Sequence, residues 1–122
     1  MISFDSLILG PGVPIYLQIF LYVKRGMVAG TICDGDEMPS RRVLSALLGV
    51  NPNTIQKAYR MLEEEGLICS HTGTKSFASV SAEKIQTIRH QLLQDDARTL
   101  VEAMRQMGVT KEEALELISS LW

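Results

Sequence analysis

The sequence is poor in the residues that organise secreted, membrane and metal-bound proteins. Its 122 residues hold two cysteines, Cys33 and Cys69, with no CxxC spacing, and His71 and His90 stand isolated. That excludes a disulfide framework and a structural zinc site, and it suits a reducing cytoplasm. No apolar run approaches the roughly 18 residues of a membrane span. The N-terminus lacks a basic stretch followed by an apolar core and a cleavage site, so no signal peptide is expected. There is no glycine-rich phosphate loop and no pair of catalytic carboxylates. Ser40 has no base placed beside it, and Glu63-Glu64-Glu65 reads as a solvated helix face. No enzyme activity, metal or cofactor is therefore predicted. An excess of positive charge is missing too, the net charge being -2. Residues 1–78 balance seven basic against seven acidic groups, and residues 79–122 set five against seven. A protein that gathers polyanions through bulk charge would look different, but a local basic face in the first part is compatible with these numbers.

What is present is aliphatic and helical. Hydrophobic residues make up 46% and aromatics 6%, enough for a modest core. Gly10-Pro11-Gly12 closes a short arm. From Pro14, Ile15, Ile19, Tyr22, Val23 and Gly26 recur at helical spacing, with Gly30 as the C-cap. Cys33 to Glu37 reads as a polar turn. Ser40 caps a second helix, with Val43, Leu44, Leu47 and Leu48 as its apolar face and Gly49 as its end. Asn51 caps a third, and Pro52 fits the first helical position, where its missing N–H costs nothing. Ile55, Ala58, Tyr59 and Leu62 form its buried stripe, and Gly66 stops it. Residues 67–72 and 75–80 read as two strands around a Gly73-Thr74 turn. Helical spacing then returns with Ile85, Ile88, Leu92, Leu93, Leu100, Val101 and Met104, and Asp95-Asp96 marks a place for a kink or break. Gly108 ends this segment. Thr110-Lys111-Glu112-Glu113 reads as a capping box for a last helix bearing Leu115, Leu117, Ile118, Leu121 and Trp122.

Two short helices joined by a tight glycine turn, the second polar at its start, are the pattern of a helix-turn-helix. A helix fits the major groove, and side chains on its first turns reach base edges and phosphates. Here those are Asn51, Asn53, Thr54, Gln56, Lys57 and Arg60. Asn and Gln amides pair with adenine, while Lys57 and Arg60 suit phosphates. Free amides at the helix start also favour an anion. Taken alone, the segment is equally consistent with a helical hairpin whose polar face is merely solvated.

The surroundings add to it. Pro14-Ile15-Tyr16-Leu17-Gln18-Ile19, then Gly35-Asp36 with Met38-Pro39-Ser40-Arg41-Arg42, then Leu48 through Tyr59, then Leu62-Glu63-Glu64-Glu65-Gly66-Leu67-Ile68 appear in order. Over 14–78 the chain resembles the GntR family of bacterial transcription regulators. Its short tail resembles the YtrA-like subfamily, since 44 residues leave no room for the large effector domain of other subfamilies. The resemblance implies a DNA contact at Arg42 and contacts at Asn53 and Thr54. Where relatives carry arginine, this chain has Pro52 and Gln56. The family's wing pattern, Arg-Gly-x-Gly-x-Phe, stands here as Thr72-Gly73-Thr74-Lys75-Ser76-Phe77. The wing's contact thus moves from Thr72 to Lys75, a phosphate contact.

The fold predicted is mainly α with a small β-hairpin. A winged helix-turn-helix with a short N-terminal arm occupies 1–80, and a two-helix dimerisation tail occupies 81–122. The predicted DNA-binding residues are Ser40, Arg41, Arg42, Asn51, Asn53, Thr54, Gln56, Lys57, Arg60, Gly73, Thr74 and Lys75. The tail folds back onto its own core or pairs with a second copy. Its apolarity favours pairing, and the resemblance implies a homodimer. Leu92, Leu100, Met104, Leu115, Ile118, Leu121 and Trp122 are the expected interface. The expected function is that of a cytoplasmic dimeric repressor on double-stranded DNA with a palindromic operator, in the manner of regulators of transporter operons. A small-molecule effector is left open, and no membrane partner is expected. The alternative is a winged helix that binds protein rather than DNA.

Overall fold

Pro14 cannot donate a backbone hydrogen bond, and it stands immediately before α1 (Ile15–Ala29). In the computed structural model, which describes residues 1–71 and 75–122, this helix is followed by α2 (Arg41–Leu48), α3 (Pro52–Glu64), β1 (Ile68–His71), β2 (Lys75–Ala78), α4 (Ala82–Gln106) and α5 (Lys111–Leu121). The chain divides into two compact units, Met1–Ile88 and Arg89–Trp122, with the division inside α4. Among the described residues no helix is long and apolar enough to cross a membrane.

In the first unit α1 and α2 both pack on α3, which also meets β1. Ile19, Val23 and Met27 from α1, Leu44 from α2, and Ile55, Ala58, Tyr59 and Leu62 from α3 form the core. The α1 stripe is therefore centred on Ile19, Val23 and Met27; Ile15 is exposed and Tyr22 half-buried at its margin. Gly26 is required there by close approach. A Cβ built on it would stand 2.6 Å from Ile32 Cδ1.

The face of α2 differs from the expectation. Leu44 is fully buried, but Val43 and Leu47 are each 56% exposed. At about 100° per residue, Arg41, Leu44, Ser45 and Leu48 lie on one side of a two-turn helix, and Val43 and Leu47 fall on the other. Contact with α3 selects the first side. Gly49 (φ 66°) then adopts the left-handed conformation that glycine takes without strain, and its N–H reaches Ser45 O. Ser45 Oγ also bonds Val50 O, so one serine ties the turn between α2 and α3.

β1 and β2 pair antiparallel from Ile68↔Ala78 to His71↔Lys75, each shorter than the six residues expected. The segment read as a polar turn does more than turn. Gly35 N–H donates to Ala78 O, Ala78 N–H to Asp36 O and Met38 N–H to Ser76 O, each at 2.8 Å. Glu37 bridges Phe77, and Ile2 N–H donates to Glu37 O. The N-terminal arm is thus fastened, with Ile2 and Phe4 buried and Phe4 against the Tyr22 ring. The start of α4 belongs to this unit: Lys84 Nζ donates to Gly66 O (2.7 Å) and Ser79 O (3.3 Å), and Ile88 is buried.

In the second unit α4 runs without interruption past Asp95-Asp96, since mid-helix aspartate costs only a few tenths of a kcal/mol. Arg98 Nη1 lies 3.8 Å from Asp95 Oδ1 one turn away. Glu113 N–H donates to Thr110 Oγ1 (3.2 Å), while the reciprocal half of the predicted capping box is not formed among the described residues. No residue of α5 is buried.

Candidate nucleic-acid interface

The recognition helix is built by its caps and its stripe. Asn51 has an extended backbone, and its Oδ1 accepts from Asn53 N–H at 2.8 Å. Thr54 N–H donates to Asn51 O at 2.9 Å. With Pro52 lacking an N–H, the first turn of α3 keeps no free amide. The anion site expected there is therefore consumed by the cap. Free amides lie instead at the start of α2. Ser40 Oγ accepts from Val43 N–H (3.1 Å) and Ser40 O from Leu44 N–H, which leaves Arg41 N–H and Arg42 N–H without partners among the described residues.

Burial of Ile55, Ala58, Tyr59 and Leu62 turns the opposite side of α3 to solvent. Asn53, Lys57 and Arg60 are exposed there, with Thr54 and Gln56 half-buried beside them. Asn51 is exposed as well, but its oxygen serves the cap, so only its NH₂ remains to read a base. Arg42 is exposed with no ion pair among the described residues. Arg41 is placed differently. Its Nη2 donates to Glu63 Oε1 at 3.0 Å, and its guanidinium lies 4.9 Å from the Tyr59 ring centroid. Its Nε is buried without a partner. The two adjacent arginines thus diverge, one locking α2 onto α3 and the other facing outward.

Tyr59 OH donates to Pro39 O at 2.6 Å, joining α3 to the Pro39-Ser40 corner. Burial pushes its phenol above the ordinary tyrosine range, and the neighbouring Arg41 charge offsets part of that. Lys75 on the wing strand is exposed and shares a cleft of about 300 Å³ with Pro39, Ser40, Arg41, Val43 and Tyr59. The fold therefore gathers Ser40, Arg41 and Lys75, which are far apart in sequence. Gly73 and Thr74, together with Thr72, lie outside the described residues.

Three features escape sequence reasoning. Glu63 and Glu65 are not simply solvated: Glu63 holds Arg41, and Glu65 Oε1 lies 3.1 Å from the buried Lys24 ammonium. Lys57 Nζ sits 3.8 Å from the centroid of the Tyr16 ring. A separate cavity of about 420 Å³ opens among Ile2, Ser3, Tyr22, Arg25, Gly26 and Ile32. Each joins residues remote in sequence, so no local spacing announces them.

In the tail, Leu92 and Met104 are buried within the chain, whereas Leu100, Leu115, Ile118 and Leu121 are exposed and Trp122 is fully so. Leu100, Val101, Met104, Val109, Leu115 and Ile118 line an apolar cleft of about 520 Å³ within this unit.

Residues 15–77 match the family described as bacterial regulatory proteins, gntR family. The chain is 38% identical over 87 residues to the transcriptional repressor YtrA of Bacillus subtilis, covering 66% of this chain and 67% of that protein. A GntR family transcriptional regulator from Listeria monocytogenes has the same fold, with a TM-score of 0.80, 30% identity, and coverage of 92% of this chain and 98% of that one. The DNA-binding domain of AraR, solved in complex with operator ORX1, matches 60% of this chain and 93% of its own length at a TM-score of 0.53 and 28% identity. The helices α2 and α3 and the hairpin that follows them are thus the winged helix-turn-helix of a DNA-binding transcription regulator, and the chain belongs to the gntR family.

Proposed function

We propose that the protein is a homodimeric repressor that occupies a palindromic operator and thereby excludes polymerase. The observation that carries this reading is the outer side of α3. Asn53, Gln56, Lys57 and Arg60 lie there over a fully packed inner stripe, next to an exposed Arg42. Phosphate contacts by Arg42, Lys57, Arg60 and Lys75 supply most of the affinity, joined by Ser40 and the free amides of Arg41 and Arg42 at the start of α2. Asn53, Thr54 and Gln56 supply base preference, with the Asn51 NH₂ beside them. Gly73 and Thr74, which lie outside the described residues, join the DNA-binding set by the family pattern alone.

The dimer is proposed from the tail. Leu100, Leu115, Ile118, Leu121 and Trp122 form an apolar exposure that a lone surface helix would not carry. A second copy covers them, joined by Leu92 and Met104, which are largely buried within one chain. A two-fold pair presents two recognition helices to half-sites one or more helical turns apart. Likeness to the YtrA repressor supports repression. A transporter operon as the regulated unit and the cytoplasm as the setting are carried over from the YtrA-like pattern of the sequence alone.

In vitro selection of bound duplexes, with the mass of the complex measured in solution, tests the whole reading. The expected result is an inverted repeat bound by two chains. Recovery of direct repeats or of unselected sequence would refute it, as would binding that does not respond to salt.

A further inference from the structure

Among the described residues, Lys24, Arg41 and Lys57 each rest on an aromatic ring, and they differ in one respect. Lys24 lies 4.7 Å from the Phe20 ring centroid and is neutralised by Glu65. Arg41 lies over Tyr59 and is neutralised by Glu63. Lys57 lies closest to its ring, 3.8 Å from the Tyr16 centroid, and has no carboxylate partner among the described residues. Two of these charges are spent inside the protein, and the third is held in place but left unspent.

We propose that Tyr16 is a positioning residue for DNA binding, whose ring holds the Lys57 ammonium where it meets a backbone phosphate rather than a base edge. The inference rests on the DNA-binding assignment above. Lys57 is four residues beyond Asn53 and three before Arg60, so all three share the exposed side of α3. A free lysine there would sample many rotamers and pay for that freedom on binding. A ring within about 6 Å of an ammonium attracts it, and the ammonium keeps N–H donors that face away from the ring.

The ring itself stands on a fixed platform. Tyr16 is in the first turn of α1, and Gln18 two residues further on clamps the incoming loop. Gln18 Nε2 donates to Gly10 O (2.9 Å) and Val13 O (2.8 Å), and its Oε1 accepts from Gly10 N–H. Since α1 packs against α3, ring and recognition helix move together.

The test uses the full chain as wild type, Tyr16→Phe, Tyr16→Leu, Lys57→Met and the Tyr16→Leu/Lys57→Met double variant. Each is titrated with a mixed-sequence duplex across a salt series. Lys57→Met is expected to reduce the slope of log K against log salt by about 1. Tyr16→Leu is expected to weaken binding about twofold to fivefold, Tyr16→Phe to match wild type, and the double variant to match Lys57→Met alone. A second readout needs no DNA. The Lys57 ε-methylene protons are expected upfield of their free position by ring current in wild type and Tyr16→Phe, and back at that position in Tyr16→Leu. This holds the proposal to account even where Tyr16→Leu folds poorly, because wild type and Tyr16→Phe suffice. Additive losses in the double variant, or unshifted Lys57 protons in wild type, overturn the proposal alone. Wild type without salt-sensitive binding overturns the DNA reading and the proposal with it.

Discussion

The two units treat the same aliphatic side chains in opposite ways. In Met1–Ile88, residues from the arm, three helices and the hairpin converge, and Ile19, Val23, Leu44, Ile55 and Leu62 lose all or nearly all of their accessible surface. In Arg89–Trp122 only a helix and a half are at hand, and no residue of α5 is fully buried. Leu115 is 57% exposed, although it recurs with Ile118 at the helical spacing that buries Ile55 and Leu62 in the core. Apolar patterning alone therefore does not say whether a stripe is a core or an interface. The number of elements able to converge on it does. A unit with enough of them closes its own core, and one without them leaves a surface that a second copy is proposed to cover.

The contrast can be broken most forcefully in the tail. Replacing Leu115→Glu together with Ile118→Glu is expected to abolish the proposed dimer. The loss would be on the order of 5 kcal/mol, since two apolar side chains per chain lose their burial. Sedimentation would show monomers, and melting of the first unit would hardly move. A dimer that survives both charges would place the interface elsewhere.

Next in size is Leu62→Ala. It opens a void in a closed core and should lower unfolding stability by about 2–5 kcal/mol in urea titration. Leu115→Ala is expected to leave the stability of isolated monomers almost unchanged, and an equal loss at both sites would erase the distinction between the units.

Smaller effects sharpen the division of labour on the DNA-binding surface. Gln56→Ala should cost about 1–3 kcal/mol on selected DNA and little on mixed sequence. Arg42→Ala should weaken both alike and flatten the salt dependence. Selection experiments returning an unchanged sequence preference for Gln56→Ala would remove that residue from base reading.

The smallest concerns Tyr59. Its phenol is raised in the folded state, so above the ordinary tyrosine pKa of about 10 the unfolded chain releases a proton that the folded chain retains, and stability falls as pH rises. Tyr59→Phe should cost about 1 kcal/mol at neutral pH, through the lost bond to Pro39 O, and should reduce that alkaline decline. An unchanged decline would assign it to other groups.

Local chemistry made much of this protein legible. Ser40, Asn51 and Thr110 cap the helices they precede, Gly30 and Gly49 close the helices they follow, and the stripe of α3 is buried as its spacing requires. Capping and periodicity depend on neighbours within one turn, and sequence records those neighbours directly. The outer residues of α3 followed from the same periodicity, as the complement of its buried stripe. Long-range partnership lay beyond it. Val43 and Leu47 look like core because residue type does not reveal which side of a two-turn helix meets its neighbour. Glu63 looks solvated until α2 brings Arg41 to it, and the segment from Cys33 to Glu37 looks like a mere polar turn until β2 supplies its hydrogen bonds.

The sequence by itself determined the elements, their order, the caps and the family, because these rest on local patterns and on motif spacing. Only the tertiary structure decided that Arg41 is spent inside while Arg42 is free, that Lys57 rests on Tyr16, and that Leu92 and Met104 are buried while Leu100, Leu115, Leu121 and Trp122 stay exposed within one chain. Each of those outcomes is set by which surfaces meet, and that depends on the packing of remote segments rather than on any residue's own preference.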